Sequence, residues 1–296
     1  MKILLTGKNG QLGSVLERDL KLAHEVFATD RFDLDLANLN DIKNITNQIK
    51  PDLIINTAAY TRVDDAEINN VLANEINALG PKALSEEATI LNIPIIHFST
   101  DYIFDGLKKE DYKESDRANP LSVYGKTKWL GEVFVRQNPK HFILRTSWVF
   151  SSHGNNFLKT ILKIAKEKTS IDIVNDQWGT PTSVKTLSKS IQVIISRLSD
   201  KNISELYGTY HISCKGKTTW YQYTNKILFI LEFLGEKKLL EQGNVNPILS
   251  YQYPQKASRP KNSTLNTEKF SKVFMLEFDT WESEVEEVLR EILRIN

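Results

Sequence analysis

The chain has 296 residues, of which 41% are hydrophobic, and a formal net charge of +1. This length suits one large α/β domain or such a domain with a smaller lobe, and the near-zero charge gives no electrostatic reason to expect nucleic acid or an anionic membrane as a partner. The single cysteine, Cys214, excludes an intramolecular disulfide and a cysteine metal cluster, and we expect a buried, inert thiol. No apolar stretch has the length of a membrane span and the N-terminus lacks a signal-peptide core, so we expect a cytoplasmic protein.

Short apolar runs alternate with longer amphipathic stretches through the first two thirds of the chain. The predicted strands are 3–5, 26–28, 53–55, 95–98, 142–144 and 171–174. The helical periodicity between them predicts helices over 11–22, 38–49, 68–91, 122–137 and 156–168. Strands that alternate with helices form βαβ units, so we predict an α/β fold with a doubly wound, Rossmann-like parallel sheet.

This rhythm ends after about residue 200. The sequence then predicts a strand at 208–212, a helix near 219–234 and a last helix from about Thr280. We interpret these elements as a smaller C-terminal α/β lobe that binds substrate. The division places 1–150 and about 170–200 in a dinucleotide-binding domain, and about 151–169 and 201–296 in the substrate-binding lobe.

Three glycines follow the first predicted strand at a regular spacing. Gly7, Gly10 and Gly13 lie in the stretch TGKNGQLG, between that strand and the first predicted helix. Glycine at such a turn lets phosphate oxygens approach the backbone N–H groups, and the helix N-terminus adds partial positive charge. Asp30 ends the second strand, where a carboxylate can bind the adenosine ribose hydroxyls. The combination predicts a nucleotide-binding site.

The same region leaves the choice of nicotinamide cofactor open. Its glycine spacing differs from the GxGxxG of many dehydrogenases. Asp30 favours NADH because a carboxylate repels a 2′-phosphate, whereas the neighbouring Arg31 could pair with one. We therefore expect either NADPH or NADH.

Of the tyrosines, Tyr124 alone has a lysine four residues later, Lys128. On the predicted helix both side chains lie on one face. A nearby ammonium favours the phenolate, so we expect Lys128 to lower the pKa of Tyr124 and make it a usable acid or base near neutral pH. Thr100 lies at the C-terminal end of a strand, where open α/β folds bind ligands. A hydroxyl there could hold a carbonyl oxygen beside the tyrosine, which indicates hydride transfer to or from a ketone.

The order of these motifs, with Asn56-Thr57-Ala58-Ala59 between them, resembles the extended short-chain dehydrogenase/reductase superfamily. More narrowly, the chain resembles the dTDP-4-dehydrorhamnose reductase family. The stretches that carry this resemblance run from Thr6 to Phe270 and are TGKNGQLG, NTAAYTRVDDAE, STDYIFDG, NPLSVYGKTKWLGE, RTSWVFSSHGNNF, NDQWGTPT and SRPKNSTLNTEKF.

The resemblance implies reduction of the C4 ketone of dTDP-4-dehydro-L-rhamnose to dTDP-L-rhamnose by NADPH or NADH. It implies that Tyr124 donates the proton, that Lys128 binds the nicotinamide ribose and that Thr100 hydrogen-bonds the substrate oxygen. The expected cofactor residues are Gly7, Gly10, Gln11, Leu12, Asp30, Arg31, Asp35, Leu36, Ala58, Ala59 and Tyr60, together with the tyrosine and the lysine. The expected substrate residues are Asp101, Tyr102, Trp148, Asn155, Asn156 and Arg259, the last for the diphosphate.

Two of these residues could have a structural role instead of a role in binding. Trp148 could serve packing alone, because indoles are usually buried. Arg259 could form a surface ion pair, although a guanidinium also suits phosphate. We interpret His97 and His153 as structural or solvated residues.

The superfamily that this chain resembles also includes proteins with other activities. Sugar-nucleotide dehydratases carry Asp and then Glu after the threonine, whereas here Asp101 and Tyr102 follow Thr100, which favours reduction over dehydration. A non-catalytic regulatory subunit of the methionine adenosyltransferase type has the same fold, and a reductase of another nucleotide-linked keto-deoxysugar is a further alternative. The intact threonine, tyrosine and lysine set favours catalysis.

Some members of the family are described as metal-linked dimers with an acidic residue early in the first helix. Ser14, Val15 and Leu16 offer no carboxylate there, so we predict no metal site. Whether the chain forms a homodimer is left undecided, and the expected partner is a small nucleotide sugar.

Overall fold

The computed structural model describes residues 1–236 and 240–294; the stretches 237–239 and 295–296, which the predicted substrate lobe includes, lie outside the described residues. Strands and helices alternate as the sequence predicts. The strands are β1 Lys2–Thr6, β2 Glu25–Thr29, β3 Leu53–Asn56, β4 Ile95–Thr100, β5 His141–Thr146, β6 Val149–Phe150, β7 Ile171–Val174, β8 Trp178–Gly179, β9 Thr182–Ser183, β10 Gly208–His211, β11 Thr218–Thr219 and β12 Val245–Ile248.

The helices lie between these strands. They are α1 Gln11–Leu20, α2 Leu39–Ile49, α3 Val63–Ala66, α4 Asn70–Asn74, α5 Gly80–Ile90, α6 Val123–Val135, α7 Phe157–Glu167, α8 Val184–Arg197, α9 Trp220–Phe233, α10 Glu268–Phe274 and α11 Trp281–Leu293. A π-helical turn, Glu75–Leu79, joins α4 to α5. None of the helices in the described part of the chain combines the length and the hydropathy needed to cross a bilayer.

Six parallel strands form the central sheet, in the order β2-β1-β3-β4-β5-β10. Side chains alternate between the two faces of a strand. Ile3 and Leu5 therefore pack in one core with side chains of α1 and α8, and Leu4 packs in another with side chains of α2 and α5. The predicted α/β fold with a doubly wound sheet is confirmed.

Two predicted strands have other partners than the sequence analysis assumed. The strand at 208–212, assigned there to the second lobe, is β10 and pairs with β5 at the edge of the central sheet. The strand at 171–174, assigned to the dinucleotide-binding domain, is β7 and pairs with β12 in a separate two-stranded sheet. An apolar run indicates that a strand is buried, but its partner depends on packing between distant parts of the chain.

A second hydrophobic core lies outside the central sheet. It joins α7, α9 and α11 through side chains such as Ile161, Ile227 and Leu289. Cys214 belongs to this core, and burial raises the pKa of its thiol to about 11, so the expectation of a buried thiol is confirmed.

Helix α6 approaches neighbouring backbone closely at two glycines. A Cβ on Gly131 would lie 2.2 Å from the carbonyl oxygen of Asn77, and one on Gly125 would lie 2.3 Å from that of Tyr102. Both distances are far shorter than any real contact, and the obstructing atoms belong to backbone that cannot rotate away. Glycine is therefore required at both positions to bring α6, which carries the predicted tyrosine–lysine pair, up to the sheet.

We expect Gly131→Ala to lower the free energy of unfolding by about 2 kcal/mol, because overpacking against backbone is costly. Alanine favours a helix over glycine by about 1 kcal/mol, but the overlap at this position outweighs that gain. Urea denaturation measures the change. Gly243→Ala is the matched control, since a Cβ there meets nothing within 4 Å. A Gly131→Ala protein as stable as the control would contradict the close approach of α6.

Candidate functional site

A cleft of about 600 Å³ runs along the C-terminal edge of the central sheet. It extends from Asp30, just after β2, past the glycine turn and Ala58, to Lys128 on α6 and Thr146 at the end of β5. Ligands of open α/β folds bind at this edge. All the predicted cofactor residues except Tyr60 line the cleft wall.

The glycine turn has the shape of a phosphate cradle. Gly7 has a φ of +83°, which favours glycine, and its N–H donates to the carbonyl of Thr29 at 2.9 Å. A Cβ on Gly13 would lie 2.0 Å from the Gly7 carbonyl oxygen, so α1 reaches the turn only because Gly13 has no side chain. Gly10 is the N-cap of α1 and offers no side-chain acceptor to the first N–H groups of the helix. Those donors and the helix dipole suit a pyrophosphate.

Asp30 lies in a dense set of hydrogen bonds. One carboxylate oxygen accepts from the Phe32 N–H at 2.8 Å, and the other accepts from the Asn9 amide at 3.0 Å. The Lys8 ammonium lies 3.4 Å away. The Phe32 hydrogen bond is the largest of the effects that lower the pKa of Asp30, so the group is a carboxylate at neutral pH. A carboxylate at this place can accept from ribose hydroxyls.

Arg31 lies beside this carboxylate at the rim of the cleft. Its side chain is 70% exposed, and its Nε lies 3.5 Å from Asp35 in a weak surface ion pair. Asp35 also accepts from the Ala37 N–H at 3.0 Å, and Leu36 is buried at the cleft wall. The guanidinium is accessible to an anion at this rim.

Tyr124 lies at the opposite end of the cleft, on the first turn of α6. Burial raises the pKa of its phenol to about 12, contact with the Thr100 hydroxyl acts in the opposite direction, and the Asp101 carboxyl adds to the rise. The structure therefore brings Tyr124 and Thr100 together, as the sequence analysis predicts.

Lys128 follows one turn later and is 2% exposed. Its ammonium donates to the backbone carbonyl of Phe98, and burial lowers the pKa of Lys128 to about 8. The expectation that Lys128 lowers the pKa of Tyr124 is wrong for this structure, because burial raises that pKa and the Lys128 ammonium donates to the Phe98 carbonyl, on β4, instead.

Asp101 is buried directly behind the threonine. One carboxyl oxygen accepts from the Thr100 hydroxyl at 2.9 Å, and the other has no hydrogen-bond partner among the described residues. Burial raises the pKa of Asp101 to about 7. The Tyr102 ring lies edge-on to the Tyr124 ring, with centroids 5.9 Å apart, and burial raises the pKa of Tyr102 as well. Both predicted substrate residues are thus adjacent to the tyrosine and threonine.

Trp148 packs against other side chains, which was the alternative to its predicted contact with substrate. Its ring is stacked on Trp220 with centroids 3.4 Å apart, and it covers Gly179, where a Cβ would lie 2.4 Å from the indole. Its backbone has a φ of +44°, a strained conformation for a bulky residue. A contact of Trp148 with substrate stays a prediction.

The two predicted asparagines have different surroundings. Asn155 lines the cleft. Asn156 is the N-cap of α7: its side-chain oxygen accepts from the Lys159 N–H at 3.0 Å, and its amide donates to the Gln11 side chain at 2.8 Å and to the Ser151 carbonyl at 2.9 Å. The Asn156 side chain therefore has a structural role that the sequence analysis did not identify.

Arg259 forms an ion pair within the protein, which was the alternative to its predicted binding of the diphosphate. Its guanidinium lies 2.6 Å from the Asp64 carboxylate, whose other oxygen accepts from the N–H groups of Lys256 and Ala257 at 3.0 Å each. This pairing joins the segment before Arg259 to α3. Binding of a diphosphate by Arg259 stays a prediction.

Tyr60 lies away from the cleft wall, unlike the other predicted cofactor residues. It is 7% exposed, its N–H donates to the Asn77 side chain at 2.8 Å and its hydroxyl donates to Asp65. Its side chain packs in a cluster with α3 and α4, against which Tyr124 of the cleft wall also packs. Binding of the cofactor by Tyr60 stays a prediction.

The sequence analysis missed several residues of the site. Asn9, Phe32 and Val149 line the cleft, and Gln11 accepts from the Ser151 hydroxyl at 2.8 Å as well as from Asn156. The position of Phe32 directly after Asp30-Arg31 was a signal that could have been used. Asn9 lies inside the glycine stretch and could have been identified with it, whereas the place of Val149 depends on contacts between distant parts of the chain.

The two histidines that the sequence analysis considered, His97 and His153, form hydrogen bonds within the protein. His97 is fully buried against the Asn56 amide at 3.0 Å, and burial lowers its pKa well below the usual value. His153 bonds the Ser14 hydroxyl at 3.0 Å. Among residues 1–236 and 240–294, no group of three or more His, Cys, Asp or Glu side chains could hold a metal ion.

Comparison with known proteins gives consistent matches over the full chain. The family model described as the RmlD substrate binding domain matches residues 1–294. A dTDP-4-dehydrorhamnose reductase of Salmonella typhimurium is 39% identical over 297 residues, which cover 99% of this chain and 98% of the relative.

Solved structures of the same kind superpose closely. The dTDP-4-dehydrorhamnose reductase from Clostridium acetobutylicum is 38% identical, with a TM-score of 0.90 and coverage of 100% of both chains. The one from Bacillus anthracis, solved in complex with NADP, is 34% identical, with a TM-score of 0.89 and coverage of 98% of this chain and 99% of its own. The chain therefore belongs to the dTDP-4-dehydrorhamnose reductase family, which the RmlD substrate binding domain model describes.

Proposed function

We propose that this chain reduces the C4 ketone of dTDP-4-dehydro-L-rhamnose to the alcohol of dTDP-L-rhamnose, with NADPH or NADH as the hydride donor. The proposal is supported by Tyr124 and Lys128, which line the end of the cleft opposite Asp30, and by the Thr100 hydroxyl, which contacts the tyrosine. The sheet order places the ends of β2, β1, β3 and β4 side by side, so the cleft spans about three strand spacings, or about 14 Å, between the two ends. That span suits the length of a dinucleotide.

The residues present fit such a cofactor. The N–H groups of Gln11 and Leu12, at the uncapped start of α1, would hold the pyrophosphate, and Asp30 would accept from the adenosine ribose. Lys128 would bind the nicotinamide ribose. When bound, the cofactor supplies the hydride that reduces the ketone carbon.

Tyr124 supplies the proton. With a pKa of about 12 it keeps its proton at neutral pH, and it releases that proton only when negative charge develops on the ketone oxygen. The phenol O–H bond breaks as the new O–H bond forms on the substrate, which leaves a phenolate beside the Thr100 hydroxyl. A donor fixed next to developing charge in a dry site stabilises it more strongly than water does.

Both cofactors suit the adenosine end. Asp30 favours an unmodified ribose, while Lys8, 3.4 Å from Asp30, and the exposed Arg31, which pairs weakly with Asp35, would offset the repulsion of a 2′-phosphate. The relative from Bacillus anthracis binds NADP. The cytoplasmic location stays a prediction, and the formation of a homodimer stays undecided.

The proposed activity is tested by mixing the purified chain with NADPH and dTDP-4-dehydro-L-rhamnose and following the absorbance of the reduced nicotinamide. We expect oxidation that depends on the keto sugar, with dTDP-glucose, which has no ketone, as the negative control. Normal cofactor binding without oxidation would contradict the proposal and favour the non-catalytic alternative. Turnover with a different nucleotide-linked keto-deoxysugar alone would favour the other reductase.

We expect Tyr124→Phe to lower kcat by about 10²–10⁴-fold, because the variant lacks the acid that acts in the transition state. The dissociation constant of NADPH should hardly change. Steady-state kinetics and a fluorescence titration measure the two effects. Tyr251→Phe, at a site that is 81% exposed, is the matched control and should behave as wild type. Near-normal turnover of Tyr124→Phe would exclude the assigned role.

Lys128→Met should reduce both turnover and NADPH affinity, since the lysine is proposed to bind the ribose. The pKa of about 8 lies below the usual 10.5, so the ammonium loses its proton as the pH rises through about 8, and the wild-type affinity should fall there. The variant should not show this pH dependence. Lys126→Met, on the exposed face of the same helix, is the control. Equal pH profiles of NADPH affinity in Lys128→Met and wild type would rule out the ribose contact.

A further inference from the structure

One aromatic side chain on the cleft wall is almost fully exposed. Phe32 follows Asp30 and Arg31 after the end of β2 and has 98% of its surface accessible. A phenylalanine gains free energy whenever its ring is covered, so an uncovered ring at the wall of a binding cleft is a ready contact for an apolar or aromatic group.

The backbone that carries this ring is held firmly. The Phe32 and Asp33 N–H groups donate to one Asp30 carboxylate oxygen at 2.8 Å and 3.3 Å, and the Leu34 N–H donates to the Asp30 carbonyl at 2.9 Å. Lys8, in the glycine turn, forms an ion pair with Asp33. The exposed ring is therefore carried by a well-bonded turn, whose backbone is fixed beside the carboxylate proposed to bind ribose.

The position of the ring relative to the glycine turn indicates which part of a bound dinucleotide it would contact. The N–H groups of Gly7 and Lys8 both donate to the carbonyl of Thr29, the last residue of β2, so the turn with Phe32 begins next to the phosphate cradle. It lies on the side away from Tyr124, because β2 is the edge strand beyond β1. A dinucleotide whose nicotinamide lies at Tyr124 has its adenine on this side.

The wall around Phe32 has the composition of a slot for a flat base. Leu36 is 4% exposed, and with Ile76 and Ala59 it gives the slot an aliphatic side. The other aromatic residues that line the cleft within the described residues are Phe98, in β4, and Tyr124, on α6, both towards the far end. At the β2 end of the cleft, Phe32 is the aromatic residue of the wall.

We propose that Phe32 stacks on the adenine of the bound dinucleotide and sets the affinity for its adenosine half. The inference rests on the proposed function, because it requires that the cleft binds a dinucleotide. An aromatic ring stacks on the face of a base without reading its edges, so the contact serves NADPH and NADH equally. Arg31, by contrast, would act on the 2′-phosphate and so on NADPH alone.

The test compares Phe32→Ala and Phe32→Trp with wild type in calorimetric titrations of NADPH, NADH and reduced nicotinamide mononucleotide, which has no adenine. Phe32→Ala should weaken both dinucleotides about tenfold, the size that base–aromatic stacking typically contributes, and leave the mononucleotide unaffected. Phe32→Trp should restore the affinity, and kcat at saturating cofactor should stay at the wild-type value. Phe229→Ala, at a ring that is 53% exposed on α9 and outside the cleft, is the matched control.

Three results would overturn the inference. Unchanged dinucleotide affinity in Phe32→Ala excludes stacking, an equal loss of affinity for the mononucleotide indicates a general disturbance of the cleft, and a loss confined to NADPH indicates a role at the 2′-phosphate. A wild-type chain that binds no dinucleotide would refute the proposed function as well, so the two failures are distinguishable. The Tm of Phe32→Ala should match wild type because the ring has few contacts to lose.

Discussion

The position of helix α6 against the central sheet is the constraint on which the site depends. The missing Cβ atoms of Gly125 and Gly131 let the helix approach, and a buried ion pair holds it there. The Glu132 carboxylate is fully buried and accepts from two nitrogens of Arg145, on β5, at 2.9 Å and 2.8 Å. Such a bidentate pair fixes orientation as well as distance, and removal of Glu132 would leave the buried charge of Arg145 without this partner, at a cost of about 3–5 kcal/mol. Lys128 lies one helical turn before this pair, so the geometry of the catalytic end follows from it.

The burial that this packing creates explains why Tyr124, Asp101 and Lys128 have unusual pKa values. Burial disfavours the charged form of any group, so it raises the pKa of Tyr124 to about 12 and of Asp101 to about 7, while it lowers the pKa of Lys128 to about 8. Each shift favours the neutral form. The protein therefore keeps a protonated phenol in a region of low dielectric constant, where negative charge that develops on a ketone oxygen interacts strongly with the nearest donors.

The features predicted from the sequence are those that depend on short-range geometry. The spacing of Gly7, Gly10 and Gly13 is dictated by a single strand-to-helix turn, and the spacing of Tyr124 and Lys128 by one turn of a helix. Both could be identified because the partners lie within a few residues of one another. The course of the chain between strands and helices was predicted for the same reason.

The partners that the sequence did not identify are distant residues. Trp148 packs on Trp220, and Arg259 pairs with Asp64, 195 residues earlier in the chain. A strand such as β10 carries the same apolar run whichever sheet it joins, so its sequence does not identify its neighbour. The pKa of Tyr124 was misjudged because the sequence places an ammonium four residues away but does not give the direction of its N–H bonds.

A short segment connects the glycine turn to the second hydrophobic core, and this connection affects the binding of a ligand in the cleft. Gln11 accepts from Ser151 and Asn156, and Ser14 bonds His153, so the segment 151–156 holds the first turn of α1 and also begins α7. These hydrogen bonds use side chains and leave the N–H groups at the start of α1 free for phosphate. Because the turn is already ordered, binding there loses little conformational entropy, and more of the interaction free energy is expressed as affinity. At the adenosine end of the cleft the backbone of the turn with Phe32 is also held by hydrogen bonds. The ring of Phe32 is exposed there, and a bound ligand would cover it.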